Sequence, residues 1–287
     1  MQPAGPPRLQ EGDTHAVAPD QRQKGEIFRG LHRGDPFVMP NPWDEGSARE
    51  LEALGFKSLA TTSFGFALTL GRRDADVTRD EVAEHVRTLA SGTTLPLSAD
   101  LHNGYGARPE DAAAAIASAA EAGAVGGSIE DWDPAGHIYD LEHAAERVRA
   151  AAETARGLGF PFVLTARAEN HTRHHPYVED TIARLRAYEE AGADVLYAPG
   201  LGTVEEIRAV CEAVSKPVSV LALPHLTIDA IVEAGAQRIS TGPSLADVAY
   251  GAMAAAARAM LDGGDLSLLT PQVGLRQWRH VRRSSAG

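Results

Sequence analysis

The stretch EAGAVGGSIED, residues 121–131, contains the unit from which the fold is built. It follows an alanine-rich helical segment, and its first glycine, Gly123, is suited to the left-handed conformation that ends a helix. The small and apolar residues after it are typical of a buried strand, which ends in the acidic pair Glu130 and Asp131. The stretch therefore predicts a helix, a glycine cap and a strand whose carboxyl end carries charge.

The same unit recurs along the chain. EAGA occurs again from Glu190 and Glu233, and the variant EALGF starts at Glu52, each just before an apolar run. Runs of this kind alternate with helical segments: PFVMPN, KSLATTS, LPLSAD, VGGSIED, PFVLTAR, DVLYAPG, KPVSVLAL and QRISTG. Eight strands alternating with helices predict an α/β protein with a (β/α)8 TIM-type barrel. The alternative, an open doubly wound sheet, usually carries GxGxxG after its first strand, and that motif is absent.

Length and composition agree with one such barrel. A chain of 287 residues with 44% hydrophobic residues can bury one large core. We assign residues 25–270 to the barrel. Residues 1–24 are rich in Pro, Gly and Gln and predict a disordered N-terminal arm, and residues 271–287 predict a basic C-terminal tail.

Charge and cysteine content disfavour several classes of function. A net charge of −12 argues against nucleic acid or an anionic membrane as partner. We expect a cytoplasmic protein, because the sequence has neither a long apolar run nor the apolar core of a secretory signal. The single cysteine, Cys211, excludes an internal disulfide and a CxxC zinc site, so any metal must be bound by oxygen or imidazole.

Polar residues cluster where the predicted strands end. In a barrel these carboxyl ends share one mouth, where catalytic groups collect. The candidates, in chain order, are Thr61, Thr62, Ser63, Asp100, His102, Glu130, Asp131, Arg167, Glu169, Tyr197, His225 and the STGPS segment.

Hydroxyls, carboxylates and one arginine suit a small anion held against a divalent cation. Mg²⁺ (or Mn²⁺) prefers oxygen ligands and keeps several waters, so Asp100 and Glu130 suffice as its carboxylates. The planar fork of Arg167 is suited to a substrate carboxylate. Structural alternatives stay open, because an Asp after a strand is often a turn former and Arg167 can instead pair with Glu169 or Asp194.

The segments SADLHNGYG, GGSIED and LTARAEN together resemble the isocitrate lyase and phosphoenolpyruvate mutase superfamily. Its members share a D-x-D-x-G-[YF]-G segment, an E-D pair after the next strand and an A-R motif after the fifth. The resemblance covers most of the chain. It implies a (β/α)8 barrel, Mg²⁺ or Mn²⁺, and a lyase that acts on a small 2-oxo or 2-hydroxy carboxylate through a metal-stabilised enolate.

The resemblance also implies roles for residues at the substrate. Thr62, Ser63 and Phe64 match a substrate-binding turn within TTSFGFALTLGRRD, and Asp74 matches a catalytic acid at its end. Arg167 matches the arginine that binds the substrate and takes part in catalysis.

The implied metal site contains Asp100, His102 and Glu130. Asp100 matches the direct ligand, which also contacts the substrate, and Glu130 is expected to hold a metal-bound water. His102 stands where the family usually has a second acid. Because neutral imidazole adds no negative charge, we expect weaker or more pH-dependent metal binding than in relatives.

The loop after the E-D pair departs from two branches of the family. In the lyase branch it carries K-[KR]-C-G-H, whose cysteine is the general acid or base, whereas EDWDPAGHIYD keeps only Gly136 and His137. The longer mutase loop with Lys, Asn and Ser is absent as well. Cleavage of isocitrate or methylisocitrate and formation of phosphonopyruvate are therefore disfavoured.

The expected reaction is decarboxylation of oxaloacetate or cleavage of a related C–C bond, with His137 or His225 as proton donor. Alternatives are a hydrolase or phosphonomutase-like enzyme acting on a C–P or C–C bond in a biosynthetic pathway, and a non-catalytic carboxylate-binding homologue. The family also implies a homo-oligomer, a dimer or tetramer, with a C-terminal helix within DVAYGAMAAAARAML swapped between subunits. We interpret His171, His174 and His175 as part of a mobile loop over the mouth rather than a second metal site.

Overall fold

The computed structural model describes residues 19–173 and 175–270, and its core is a barrel of eight parallel strands enclosed by helices. The strands are β1 (Phe37–Met39), β2 (Leu59–Ala60), β3 (Leu97–Asp100), β4 (Gly126–Glu130), β5 (Trp132–Asp133), β6 (His137–Ile138), β7 (Val163–Arg167), β8 (Val195–Tyr197), β9 (Val218–Leu221) and β10 (Arg238–Ser240). All except β5 and β6, which form a separate antiparallel hairpin, belong to the barrel.

The helices lie between the strands in the alternating order that the sequence predicts. They are α1 (Gln21–Leu31), α2 (Glu45–Ala53), α3 (Ser63–Thr69), α4 (Arg79–Gly92), α5 (Pro109–Glu121), α6 (Leu141–Gly157), α7 (Val178–Ala191), α8 (Val204–Ala213), α9 (Ile228–Glu233) and α10 (Ser244–Gly263). Three 3-10 helices add Asp74–Asp76, Asn170–Arg173 and Ser267–Leu269. None of the helices within the described ranges is both long enough and apolar enough to cross a bilayer.

The barrel closes between the first and the last strand. Neighbouring strands follow the order β1, β10, β9, β8, β7, β4, β3, β2, and Phe37 of β1 pairs in parallel with Arg238 of β10. Between β1 and β2, the Ala60 N–H donates to the Pro40 carbonyl over 3.1 Å. A sheet that joins its first strand to its last is a barrel and not an open doubly wound sheet, so the predicted fold is confirmed.

The glycines of the repeated unit end helices as the sequence predicts. Gly55, Gly123, Gly192 and Gly235 have φ angles of +92°, +104°, +106° and +106°. This left-handed conformation disfavours other residues, and at each position it turns the chain from a helix toward the next strand.

The predicted N-terminal arm is wrong at its carboxyl end, because residues 21–24 belong to α1. Asp20 is the N-cap of this helix: its side chain accepts from the Gln23 N–H and forms a capping box, and the helix buries Phe28 completely. The capping signal is polar and lies in a segment without a clear apolar period, which is why the composition suggests disorder. Residues 1–18 and the predicted basic tail, residues 271–287, lie outside the described residues.

Helix α1 lies across the amino-terminal end of the barrel. The Gln21 side chain donates to the Ala124 carbonyl over 2.9 Å, before β4, and the Lys24 ammonium donates to the Thr93 carbonyl over 2.7 Å, before β3. The Gln237 side chain, just before β10, donates to the Leu31 carbonyl over 3.1 Å. The helix therefore covers this end and leaves the carboxyl end of the barrel for the site.

Small polar residues line the barrel below its mouth. Ser98 of β3, Ser128 of β4 and Ser240 of β10 all border one cavity. Barrel interiors are usually filled by bulky branched side chains. Serines at these positions fill less volume, which leaves a cavity beneath the carboxyl ends of the strands.

Candidate active site

The cavity at the carboxyl end of the barrel has a volume of about 330 Å³. We call it the upper cavity. The predicted strand-end residues that line it are Thr61, Thr62, Ser63, Phe64, Asp74, Asp100, Arg167, Glu169 and Tyr197. The parallel strands thus bring together residues that are far apart in the sequence, as the barrel predicts.

Asp100 lies at the end of β3 against the start of α3. The Ser63 N–H donates to its Oδ2 over 3.3 Å, and the Asp100 N–H donates to the Thr61 hydroxyl over 2.8 Å. Its Oδ1 has only long contacts, 3.5 Å to the Ser128 hydroxyl and 3.9 Å to Arg167 Nη1. Burial alone raises the pKa of this carboxyl, but Arg167, His102 and Ser63 together lower it below its ordinary value. Asp100 is thus an ionised carboxylate whose Oδ1 is weakly bonded.

The substrate-binding turn predicted from the sequence is the first turn of α3. Thr62 is its N-cap and accepts from the Gly65 N–H over 3.3 Å. Phe64 is 38% exposed and forms part of the cavity wall. Backbone N–H groups at a helix start are suited to a carboxylate, although α3 is short and Ser63 already uses its N–H for Asp100.

Arg167, at the end of β7, is the central cation of the upper cavity. Its Nη1 lies 3.5 Å from Glu130 Oε2, its Nε pairs with Glu169, and its guanidinium lies 5.5 Å from the centre of the Tyr197 ring. Of the two structural partners expected for Arg167, the structure shows Glu169. Asp194 instead accepts from the Leu164 N–H over 2.9 Å. Burial opposes the charge of Arg167, but Glu169 and Glu130 raise its pKa well above the ordinary value.

Glu130 is buried at the end of β4. Its side chain is 7% exposed, and burial, with Glu169 and Asp100 as like-charged neighbours, raises its pKa to about 8 against the opposing effect of Arg167. Burial is the largest cause of this shift, and the two neighbouring carboxylates add to it.

Asp74 and His102 face each other at the rim. Asp74 Oδ1 lies 3.5 Å from His102 Nε2, a contact too long for a hydrogen bond, and both atoms are buried without a hydrogen-bond partner among the described residues. Burial raises the pKa of Asp74, with Asp100 adding to the effect. His102 has a φ angle of +50°, which places its ring toward Asp74 at a conformational cost.

Asp131, the second acid of the E-D pair, is structural. The Glu169 N–H donates to its Oδ1 over 2.8 Å, and Arg184 Nη1 and the Tyr188 hydroxyl donate to its Oδ2 over 3.0 and 2.5 Å. With both oxygens occupied at 3% exposure, Asp131 fixes β4 to β7 and α7 and takes no part in the cavity.

The structure does not bring the two predicted proton donors to the upper cavity. His137 lies on the exposed side of the β5–β6 hairpin, which the sequence did not predict, and its ring packs edge-on against Tyr139. His225 is exposed, and its Nε2 lies 2.7 Å from the Gly202 carbonyl. Neither histidine is among the residues that line the cavity. Their assignment as catalytic residues therefore finds no support in this geometry.

The sequence interpretation missed Arg173. It lies in the 3-10 helix after β7, where Nε is 3.3 Å from Glu169 Oε2 and the guanidinium stacks 4.4 Å from the centre of the Trp132 ring. The available signal was its position three residues after the LTARAEN motif, in the segment that the sequence predicts to be a mobile loop. His171 belongs to the same 3-10 helix, and His174 lies outside the described residues.

The donor set of the upper cavity fits a divalent cation. Three carboxylates, Asp74, Asp100 and Glu169, line the cavity together with three guanidinium groups, Arg167, Arg173 and Arg238, and Glu130 contacts Arg167 from beside the cavity. Asp100 Oδ1 and Asp74 Oδ1 lack close partners within the described part of the chain. No group of three or more His, Cys, Asp and Glu with metal-cage spacing occurs there either, but Mg²⁺ keeps several waters and needs only one or two carboxylates.

Comparisons with known proteins agree with this architecture. The family model described as phosphoenolpyruvate phosphomutase matches residues 28–261. An oxaloacetate decarboxylase of Paraburkholderia xenovorans is 31% identical over 220 residues, which cover 72% of this chain and 71% of the relative.

Two solved structures extend the comparison. A protein of Burkholderia cenocepacia J2315, provisionally assigned as a lyase/mutase, is 44% identical, with a TM-score of 0.87 over 93% of this chain and 97% of its own. An oxaloacetate acetylhydrolase in complex with its product oxalate is 27% identical, with a TM-score of 0.78 over 92% of this chain and 98% of its own.

Proposed function

The chain belongs to the isocitrate lyase/phosphoenolpyruvate mutase superfamily, and we propose that it is a divalent-metal-dependent lyase that decarboxylates oxaloacetate or cleaves a closely related 2-oxo dicarboxylate. The observation that carries the proposal is the mouth of the barrel, where Arg167 lies 3.9 Å from Asp100 and 3.5 Å from Glu130. A buried arginine suits a substrate carboxylate, and the weakly bonded Oδ1 atoms of Asp100 and Asp74 suit a metal ion.

The residues of the upper cavity have distinct tasks in this reaction. Asp100 would hold the cation directly, and Glu130 and His102, which line an adjoining cavity that shares Asp74 and Arg173 with the upper one, would act through water. Arg167 binds the substrate carboxylate, and the start of α3 fixes its orientation. Glu169 and Tyr197 hold Arg167 in place, so that the guanidinium plane is set before the substrate arrives.

Decarboxylation breaks the bond between carbon 3 and the 4-carboxylate. CO₂ leaves, the electron pair moves to the 2-oxo oxygen as an enolate, and carbon 3 takes up a proton to give pyruvate. The cation supplies Lewis-acid stabilisation of that oxygen when bound. Because His137 and His225 lie outside the cavity, we propose that water delivers the proton.

The β5–β6 hairpin supports a lyase without the cysteine chemistry of the isocitrate branch. It turns at Gly136, which has a φ angle of +103°, and the Tyr139 hydroxyl donates to Asp133 over 2.7 Å. No Lys or Cys occurs in this segment. Oxaloacetate decarboxylation needs neither group, because it requires only electron withdrawal at the 2-oxo oxygen and one proton.

The test is turnover of oxaloacetate, methylisocitrate, isocitrate and phosphonopyruvate followed by NMR, with Mn²⁺ or Mg²⁺ and with EDTA. We expect pyruvate from oxaloacetate above the rate of metal alone, and at least a hundredfold loss in Asp100→Ala. Asp140→Ala is the matched control, since Asp140 caps α6 away from the cavity. No turnover in any arm contradicts the lyase, and stabilisation by oxalate without turnover favours a carboxylate-binding homologue.

Hydrolysis of oxaloacetate is the second candidate, favoured by the similarity to an oxaloacetate acetylhydrolase. The same NMR experiment separates the two reactions, because decarboxylation yields pyruvate and CO₂ whereas hydrolysis yields oxalate and acetate. Oxalate as the main product overturns the decarboxylase in favour of this alternative.

We also propose a homo-oligomer built through α10. Only Ala246 of this helix is buried, while Val248, Met253 and Leu261 are 69%, 61% and 87% exposed. A 20-residue helix with such an apolar surface is typical of a subunit interface. Light scattering is expected to show a dimer or tetramer that Leu261→Asp dissociates, and a monomeric wild-type protein contradicts the proposal.

A further inference from the structure

A second cavity, of about 680 Å³, lies at the amino-terminal end of the barrel, opposite the upper cavity. We call it the lower cavity. Helix α1 forms one side, the end of α6 another, and the segments that enter β7, β8 and β9 form the floor. Its charged residues are Arg22, Glu26, Arg29, Arg33, Arg156, Asp194 and Lys216.

The lower cavity is basic although the chain has a net charge of −12. Its five cations outnumber its two acids, Glu26 and Asp194. Glu26 pairs with Arg29, and Asp194 is occupied by the Leu164 N–H at 2.9 Å. Within the described residues, no carboxylate lies at ion-pair distance from Arg33 or Lys216. Positive charge is therefore concentrated here and only partly balanced.

A buried cation, Arg238, lies behind His32 and also lines the upper cavity. His32 lines the lower cavity, and its Nε2 lies 3.3 Å from Nη1 of Arg238, which is 3% exposed. Arg238 donates to the hydroxyls of Ser219 and Thr165, both over 3.0 Å, and has no carboxylate at ion-pair distance in the described ranges. In the low dielectric of the interior its charge acts over a longer distance than a surface charge would.

The remaining wall of the lower cavity is apolar. Phe160 is half-buried, and Pro161, Phe162 and Pro217 continue the same surface. The cavity thus offers guanidinium groups beside an apolar wall. Guanidinium binds phosphate through paired hydrogen bonds, and an aromatic wall suits a planar ring. The volume lies in the range of small-molecule sites.

We propose that the lower cavity binds a polyphosphate, most suitably a nucleoside triphosphate with its phosphates at Arg29, Arg33, Arg156 and Lys216 and its base against Phe160. The inference concerns the end of the barrel opposite Asp100 and does not depend on the reaction proposed there.

The test is calorimetric titration of the full chain with ATP, inorganic triphosphate and adenosine at 0.15 M NaCl in EDTA. We expect ATP and triphosphate to bind with dissociation constants below 1 mM and adenosine not to bind. Tighter binding of ATP than of triphosphate identifies the nucleotide as the source of the phosphates, whereas equal affinity identifies an inorganic polyanion and contradicts the contact with Phe160.

A pair of double variants locates the site. Arg33→Gln with Lys216→Gln is expected to weaken ATP binding at least tenfold. Arg149→Gln with Arg208→Gln removes the same charge from exposed positions of α6 and α8 and is expected to change it less than twofold. Absence of ATP binding to the wild-type chain overturns the proposal. Equal weakening by both pairs overturns it as well, because binding then follows net charge alone.

Discussion

The two ends of this barrel differ in how their charges are balanced. At the carboxyl end, Asp74, Asp100 and Glu169 line a cavity with three arginines, whereas at the amino end five exposed cations face two acids. The net charge of −12 describes neither end. The comparison shows that the charge balance of a cavity depends on which strand and helix ends meet there.

The largest expected effect separates a buried, fully bonded carboxylate from a partly exposed one on the same arginine. Asp131→Ala leaves Arg184, Tyr188 and the Glu169 N–H without their acceptor, so we expect a loss of about 3–5 kcal/mol in the free energy of unfolding. Asp180→Ala removes the partially exposed partner of the same Arg184 and is expected to cost less than about 1 kcal/mol. Urea denaturation measures both, and similar losses would contradict the structural role of Asp131.

The next effect tests the need for a cation at the carboxyl end. Mn²⁺ at a hundred times its dissociation constant is expected to stabilise the wild-type chain by about 2.7 kcal/mol, and EDTA is expected to remove this gain. Asp100→Asn abolishes the stabilisation, because a neutral amide replaces the ionised ligand, whereas Asp140→Asn retains it. Thermal unfolding with and without Mn²⁺ measures the difference. The same Mn²⁺-induced stabilisation in Asp100→Asn as in the wild type would show that Asp100 is not a metal ligand.

The smallest effect concerns the buried histidine at the amino end. Burial, with Arg238 adding to it, lowers the pKa of His32 from 6.5 to about 3. The unfolded chain therefore binds the extra proton first, and stability that is present above pH 6.5 falls as the pH drops toward 3. Between pH 7.5 and 5.5 the wild type is expected to lose about 1 kcal/mol more than His32→Gln, which does not titrate.

Urea midpoints at the two pH values measure the contribution of His32. Exposed His225→Gln serves as the control and is expected to keep the wild-type difference between the two pH values. A wild-type loss equal to that of His32→Gln would show that His32 is not held neutral beside Arg238.

Local signals predicted the barrel and the residues at its strand ends. Gly123 and Gly192 end helices because their conformation is decided within a few residues, and Asp100, Glu130 and Arg167 follow from the strand ends and the family resemblance. The β5–β6 hairpin could not be predicted in this way, since its strands have only two residues each and no apolar period. The roles of His137 and Asp131 depend on where that hairpin and α7 pack, which is decided by tertiary contacts.

During synthesis of this chain, β1 must wait for β10 before the barrel can close. Asn41, just after β1, bonds to Thr241, just after β10, across 200 residues of sequence. At about 5–20 residues per second, a ribosome needs on the order of 10–40 s to make that length. Throughout this time β1 presents an unpaired edge with the apolar side chains of Phe37 and Met39. The nascent chain is therefore a candidate for chaperone binding at its first strand until translation has delivered the last one.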